Sequence, residues 1–349
     1  MNSGVLNLGD VTFEGEASII RALQQRFSVS GRHILGDNRG MTNPDARRVQ
    51  SASPYLLLAL APFFWASNWI VGRGLHAEMP PFAMTFYRWA FAIVFMLPFA
   101  LPHVRTQWRL IKANYRVLIL LGVLGVGSHN ALAYLGLNYT TATNGVILNS
   151  FIPVMIIALS WLFLGQRLSN LQLAGVAVSL AGVLIILSQG SFERLAAFRL
   201  NVGDISVIAS MLLWSLYTIC LRWRPPGLHT LALLFVIACI GDLAVLPFYL
   251  GEAVFFRQAL WTWHAVLALA GVGLFSSFVA YVCWNRGVQE VGASVAGLFV
   301  HLMPVFGTVL AWLFLGERLQ LFHIAGILLI LTGIYVTSRA ATPPVPAPE

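Results

Sequence analysis

The chain has 349 residues, of which 58% are hydrophobic and 10% are charged, and its mean hydropathy is +0.78. A soluble domain carries roughly a quarter charged residues, so this composition excludes an ordinary soluble protein and predicts one embedded in lipid. The net charge of +8 does not indicate a nucleic-acid surface, because the arginines are scattered in short connections between apolar runs. We therefore expect membrane lipid, and no nucleic acid, as a partner.

The two ends of the chain are polar. Residues 1–53 contain arginines and no hydrophobic periodicity, which predicts a disordered cytoplasmic tail and no signal peptide. Met41 would begin a plausible shorter product, so residues 1–40 are either a disordered extension or follow a mis-chosen start codon. Residues 339–349 are rich in proline and predict a second unstructured tail.

Between the tails lie ten apolar runs. A spanning helix needs roughly 20 mostly apolar residues, because the hydrocarbon core is about 30 Å thick and each residue rises about 1.5 Å. Such runs must be helical, since backbone groups in lipid have to be satisfied within the segment. In chain order the runs lie near residues 54–72, 82–101, 116–137, 142–164, 171–188, 203–221, 230–250, 264–285, 293–315 and 321–338.

The distribution of basic residues orients these spans. Ten crossings place both termini on one side of the membrane. If that side is the cytoplasm, it receives 15 lysines and arginines and the other side receives five, while Arg88 lies within a span. Without the N-terminal tail the ratio is still nine to five. The positive-inside rule therefore predicts that both termini are cytoplasmic.

The chain also contains an internal repeat. Trp161-Leu-Phe-Leu-Gly165 recurs as Trp312-Leu-Phe-Leu-Gly316, a shift of 151 positions, and a shift of 149 aligns Trp65 with Trp214. Each half contains five spans, and an odd number forces the second copy to start on the opposite side of the membrane. Such inverted repeats are typical of secondary transporters, whose binding site lies near the midplane. The two halves comprise residues 54–188 and 203–338.

The repeated motif resembles a known family. In each half, Trp-Leu-Phe-Leu-Gly-x-Arg-Leu follows a span that contains proline and precedes a glycine-rich span. Together with Gly203-Asp204 at the start of span 6 and Trp284-Asn285-Arg286 at the end of span 8, it is similar to the EamA domains of the drug/metabolite transporter superfamily. The resemblance covers roughly residues 54–338. The sequence departs from the family at Gln166, where glutamate is usual, and in its long N-terminal tail.

This resemblance implies a ten-helix carrier of small organic solutes. Members of the family often export amino acids, metabolites or drugs, and the resemblance does not fix the substrate. We expect a multi-pass protein of the bacterial cytoplasmic (inner) membrane that moves its solute by alternating access.

Polar and aromatic side chains inside the spans are the candidates for a substrate cavity, because such groups are costly in lipid without a partner. Trp65 and Asn68 in span 1, and Trp214 and Tyr217 in span 6, are each spaced i, i+3. Aromatic walls with few polar groups are typical of small-molecule sites. The alternative is that these tryptophans anchor the helices at the membrane interface.

Spans 3 and 8 carry the same two residue types in exchanged positions. Asn130 and Tyr134 lie one turn apart, and their counterparts in the repeat are Tyr281 and Asn285. The pattern favours a pseudo-symmetric cavity, with an interfacial belt as the alternative. His129 belongs to a neighbouring stripe of small residues, which predicts close helix packing rather than a site.

Spans 4 and 9 each contain a polar residue shortly before a proline, which removes a backbone hydrogen bond. Asn149 is either a cavity residue or a contact between helices. His301 either binds substrate or takes a proton, or it bonds to a neighbouring helix. The repeat places Ser150 at the position of His301.

Two charged residues lie well inside the spans. Arg88 has three alternative interpretations: it snorkels to the interface, it binds an anionic group, or it pairs with Asp242. Asp242 is the best carboxylate for proton coupling, with His301 as the second candidate. Asp204, at the start of span 6, is predicted to be a helix N-cap.

The sequence lacks the motifs of several other classes. It contains no HExxH, GxxxxGK[ST] or GxSxG motif, so we predict neither an enzyme nor an ATP-driven pump. A membrane-embedded enzyme and a non-transporting sensor remain the alternatives. Cys220, Cys239 and Cys283 lie in apolar runs and have no CxxC spacing, as buried small hydrophobes do. We expect no metal or cofactor, a small-molecule solute as the ligand, and a monomer or homodimer.

Overall fold

The computed structural model describes residues 53–140, 145, 148–196, 201–315 and 318–340, and this part of the chain is helical without strands. The predicted tails lie outside the described residues apart from Ser53 and residues 339–340. Two short helices, Trp108–Ala113 and Phe192–Ala196, lie in connections. The principal helices are α1 Pro54–Gly74, α2 Pro81–Thr106, α3 Tyr115–Tyr139, α4 Ile152–Leu164, α5 Asn170–Leu187, α6 Val202–Cys220, α7 Thr230–Phe255, α8 Trp263–Val291, α9 Ala293–Leu298 continuing through a 3-10 turn as Leu302–Leu315, and α10 Leu321–Arg339.

Eight of the described helices are long and apolar enough to cross a membrane, namely α2, α3 and α5 to α10. Helix α1 carries several polar side chains, and α4 is an apolar helix of 13 residues. The predicted fourth span, 142–164, lies partly outside the described residues, and its helix begins after a turn at Ser150 and Phe151 with Pro153 in its first turn. The count of ten crossings therefore stays a prediction.

The outer surface of the bundle is apolar. Val94, Phe248 and Leu328 are each about 60% exposed. Water-soluble monomers rarely expose contiguous apolar surface on this scale, whereas lipid accepts it. With its eight membrane-length helices, the chain is an integral, multi-pass membrane protein.

The two halves interleave in a symmetric pattern. Helix α3 packs on α6 and α7, and the equivalent helix α8 packs on α1 and α2. Likewise α4 packs on α6 while α9 packs on α1. Three further pairs join a helix to its own copy: α2 with α7, α4 with α9, and α5 with α10. Exchanging the halves converts each of the first three pairs into its observed counterpart and each of the last three into itself, as a pseudo-twofold axis requires.

Four glycines fix the direction of α5 relative to α10. A Cβ atom on Gly175 would lie 2.8 Å from the carbonyl oxygen of Gly333, and one on Gly182 would lie 2.6 Å from that of Gly326. The residue number rises along α5 as it falls along α10, so the two helices are antiparallel. Because they are equivalent helices of the two halves, the halves run in opposite directions at this contact.

We predict that Gly182→Ala lowers the stability of the protein. The added methyl group meets backbone atoms of α10 that cannot rotate away, and overpacking of this kind costs about 1–3 kcal/mol. The midpoint of thermal unfolding in detergent measures the effect. Gly271→Ala is the matched control, because a Cβ atom there meets nothing within 4 Å. Equal unfolding midpoints for the two variants would contradict the close approach of α5 to α10.

Helices α3 and α8 each contain a π-helical segment at equivalent positions, Val123–Ser128 and Val272–Val279. The wider i→i+5 turn is often found at functional sites. Equivalent carbonyl groups in these segments accept hydrogen bonds from aromatic side chains of other helices. The hydroxyl of Tyr281 donates to Gly125 O at 2.8 Å, and the indole N–H of Trp65 donates to Ser276 O at 3.1 Å.

Candidate functional site

A cavity of about 50 Å³ lies where the two halves meet. Eight of the eleven side chains predicted to form a cavity line it: Trp65, Asn68, Arg88, Asn130, Tyr134, Asn149, Trp214 and Tyr281. The remaining lining residues are His129, Ala133, Leu137, Ile152, Val300 and Met303. Sites for drug-sized ligands occupy about 300–1,000 Å³, so the helices must move apart before a solute of that size can enter.

Aromatic rings from both halves form one wall of the cavity. Trp65 and Trp214 occupy equivalent positions in the repeat, and their rings meet edge to face with centroids 5.1 Å apart. Tyr281 packs against Trp214 at 5.3 Å, also edge to face. These tryptophans are buried, at 8% and 3% exposure, so they do not act as anchors at the membrane surface.

Two asparagine–tyrosine pairs, related by the repeat with the residue types exchanged, form equivalent hydrogen bonds. Tyr134 donates to Asn68 Oδ1 at 2.8 Å in the first half, and Tyr217 donates to Asn285 Oδ1 at 2.6 Å in the second. Only the first of these two pairs lines the cavity. Tyr217 instead covers Gly125, where an added Cβ atom would overlap its ring, and Asn285 is fully buried.

Two other equivalent positions meet directly. Asn130 Nδ2 donates to the hydroxyl of Tyr281 at 3.2 Å, and these two residues are related by the shift of 151. The pseudo-twofold axis therefore passes close to this contact. Asn149, also in the cavity wall, donates to the sulfur of Met303 at 3.3 Å, across the α4–α9 contact.

Arg88 projects from α2 into the cavity wall and is 1% exposed. Its Nε donates to Ser277 Oγ at 2.9 Å, and its Nη1 donates to Tyr134 Oη at 2.6 Å and Asn130 Oδ1 at 3.1 Å. Asn68 Oδ1 lies slightly farther from Nη1, at 3.4 Å. With this burial, Arg88 does not snorkel to the interface. Its hydrogen-bond partners in the described part of the chain are all uncharged.

The alternative in which Arg88 pairs with Asp242 is wrong. The one ion pair within the described residues joins Arg286 to Glu290 at 3.1 Å. Asp242 lies on α7, 7% exposed and outside the cavity, and its Oδ1 has no hydrogen-bond partner. The preceding residue, Gly241, packs against the backbone of Gly122 on α3.

His301 lies outside the cavity lining, between α4, α5 and α9, and is fully buried. Its Nε2 donates to Ser150 O at 2.9 Å, and the hydroxyl of Ser179 lies 2.7 Å from its Nδ1. A carbonyl group only accepts, so Nε2 carries the hydrogen and Nδ1 accepts from Ser179. His301 therefore bonds to neighbouring helices, which is the predicted alternative to a role in binding substrate or taking a proton.

The sequence predicts Asp204 as the N-cap of α6, and this prediction is wrong. Asn201 caps the helix, because its Oδ1 accepts from Asp204 N at 3.1 Å, and Asp204 Oδ2 accepts in turn from Asn201 N at 2.8 Å. Asp204 is therefore the third residue of the helix (N3) and forms a capping box with Asn201. Its other carboxylate oxygen accepts from Thr140 at 2.5 Å and ties α6 to the end of α3.

Two polar residues at the site are not predicted from the sequence. His129 lines the cavity, and its Nδ1 donates to Ser210 O at 2.9 Å. The 3.6-residue period predicts His129 in a stripe of packing residues. That period does not continue through the π-helical segment that ends at Ser128, so the prediction fails. Ser277 holds Arg88, but a serine in an apolar span carries no sequence signal that distinguishes it from others.

Comparisons with known proteins agree with this architecture. The EamA-like transporter family matches residues 52–188 and 201–339, one domain in each half. An uncharacterized transporter of Archaeoglobus fulgidus is 29% identical over 82% of this chain and 98% of its own length. The uncharacterized transporter YyaM of Bacillus subtilis is 25% identical over 81% of this chain and 93% of its own.

The fold is shared by solved structures, among them a crystal structure that matches with a TM-score of 0.68 at 18% identity. The match covers 83% of this chain and 98% of that chain. The tandem family match extends over most of the 349 residues, and the named relatives align along almost their full length. The chain belongs to the EamA-like transporter family.

Proposed function

We propose that this protein is a secondary transporter that moves a small organic solute across the membrane by alternating access. The observation that carries the proposal is a cavity built where equivalent residues of the two halves meet, with Trp65 against Trp214 and Asn130 against Tyr281. The family and its relatives, which are named transporters, support the same function.

The proposed topology has ten crossings in two inverted halves, with both termini in the cytoplasm. The antiparallel contact of α5 with its copy α10 supports the inversion. An inverted pair provides two pseudo-equivalent conformations, one open to each side.

The cavity is asymmetric about the axis. Ala133 lines it in the first half, whereas the equivalent Trp284 is fully buried in the second. In the proposed topology, the cavity lies on the outer side of the axis. The equivalent region on the cytoplasmic side is filled by closely packed side chains. The other conformation requires Trp284 to move out of the space that it fills here.

We further propose export as the direction of transport and a proton gradient as the driving force. Asp242 and His301 are the candidate proton carriers, and Asp242 is the stronger, because both ring nitrogens of His301 already bond to protein groups. The proposal requires no cofactor, and it includes a monomer or homodimer as the working unit.

A transport assay in proteoliposomes tests the function. Purified full-length protein is reconstituted, and exchange of radiolabelled amino acids, hydroxy acids, sugars and cationic drugs is measured with and without a pH gradient. At least one solute class is expected to move faster than in protein-free liposomes and to saturate with concentration. Folded protein that moves no member of the panel would overturn the proposal.

We predict that the turns after Leu164 and Leu315 lie on opposite sides of the membrane. Gln166 and Gln320 are exposed positions in these turns. Single cysteines introduced there, after the three natural cysteines are replaced, should react with an impermeant maleimide from opposite faces of intact cells and inverted vesicles. The turn that contains Gln166 is expected to be cytoplasmic. Labelling of both from the same face would remove the inverted topology.

A further inference from the structure

Arg88 has one nitrogen that its protein partners do not use. Nε and Nη1 carry all of the hydrogen bonds described above, to Ser277, Tyr134, Asn130 and Asn68. Nη2 has no partner within the described part of the chain, and it is not among the atoms enclosed by protein on all sides. Because Arg88 lines the cavity, Nη2 presents its two N–H donors to that space.

The positive charge of Arg88 is also uncompensated. Arginine stays protonated at any physiological pH, and a buried charge is costly without an opposite charge. No carboxylate among the described residues lies within ion-pair distance of it. The uncharged groups that hold Nε and Nη1 fix the orientation of the guanidinium plane without neutralising it.

Other groups in the cavity wall also lack a protein partner in the described part of the chain. The indole N–H of Trp214 is a free donor, and His129 Nε2 is a free acceptor because Nδ1 carries the hydrogen. The wall therefore offers a strong cationic donor at Arg88, and weaker neutral groups elsewhere.

We propose that the solute carries a carboxylate, and that Arg88 Nη2 binds this group in the cavity. This inference rests on the proposed transport function and names the chemical class of its substrate. A carboxylate supplies the missing negative charge and accepts charge-assisted hydrogen bonds from the guanidinium. A solute with only a positive charge faces an unscreened cation in a buried site and is disfavoured.

The first test uses the unmodified protein. Lactate and mandelate are compared with their primary amides and with choline, by the shift of the thermal unfolding midpoint and by competition in proteoliposome uptake. We expect the carboxylates to bind at least about tenfold more tightly than the amides, and choline not to compete. Equal affinity for acids and amides, or stabilisation by none of the panel, would overturn the inference.

The second test changes the charge. Arg88→Gln should abolish the preference for the acid over the amide, whereas Arg88→Lys should keep a weaker preference, because lysine retains the charge but not the planar fork. Arg286→Gln is the matched control, since it removes an arginine that is exposed and outside the cavity. A purely structural role for Arg88 would weaken binding of acid and amide equally.

The outcomes separate this inference from the transport function. Uptake of sugars or cations by unmodified protein, with no preference for acids, would preserve the transporter and reject the carboxylate. Failure of every solute in the wider panel would reject both. If Arg88→Gln does not fold, the acid-to-amide comparison on the unmodified protein and the Arg88→Lys variant still decide the question.

Discussion

Replacing Trp214 with alanine is expected to lower transport at least about tenfold while the protein still inserts into the membrane. The indole ring forms the contact between the two halves and presents its N–H group to the cavity. Its removal enlarges the cavity and takes away the surface against which Trp65 and Tyr281 are held. Initial rates of uptake in proteoliposomes, normalised to the amount of reconstituted protein, measure the effect.

A loss of stability must be distinguished from a loss of the site. Truncating a buried tryptophan typically costs about 3–5 kcal/mol, so Trp214→Phe is measured alongside it to retain an aromatic ring. Trp161→Ala is the matched control, because Trp161 is 57% exposed on the outer surface. Uptake kinetics of Trp214→Ala that equal those of the Trp161 variant would remove Trp214 from the transport site.

The repeat explains why much of the site could be predicted from the sequence. Residues close to a twofold axis meet their own equivalents, so aligning the halves was enough to bring Trp65 to Trp214 and Asn130 to Tyr281. Ser150 and His301, a third equivalent pair, also touch. The alignment therefore located the region between the halves without any structural information.

The departures from symmetry could not be predicted in this way. The alignment does not reveal that Ala133 lines a cavity in the first half while the equivalent Trp284 is buried in the second, or that Tyr217 packs against Gly125. Both are differences in side-chain packing between equivalent positions, which an alignment of the two halves treats as the same. The residue pattern likewise leaves three alternatives for Arg88, and only the positions of its neighbours distinguish among them.

Local geometry accounts for the other errors. The π-helical turn changes which side of α3 the residues after it face, relative to a regular α-helix. His129 therefore lies at the cavity, although the 3.6-residue period predicts it on a packing face. At the start of α6, the N-cap lies three residues earlier than predicted, because Asn201 and Asp204 cap each other. Periodicity of 3.6 residues and single-residue capping preferences do not contain this information.

Replacing Asp242 with asparagine is expected to abolish the dependence of transport on a pH gradient. The carboxyl group is buried, one of its oxygens has no hydrogen-bond partner, and no cation within the described residues pairs with it. A buried carboxylate in these surroundings is costly, and taking up a proton removes that cost. Asparagine has nearly the same shape but cannot gain or lose the proton.

The measurement compares uptake with and without an imposed pH gradient. Unmodified protein should accelerate when the gradient is applied, and Asp242→Asn should run at one rate in both conditions. Glu290→Gln is the control, since it neutralises an exposed carboxylate that pairs with Arg286. The neighbouring Gly241 packs against the backbone of Gly122 on α3, the helix that carries His129 and Asn130. A variant that still follows the gradient, or unmodified protein that ignores it, would exclude Asp242 as the proton carrier.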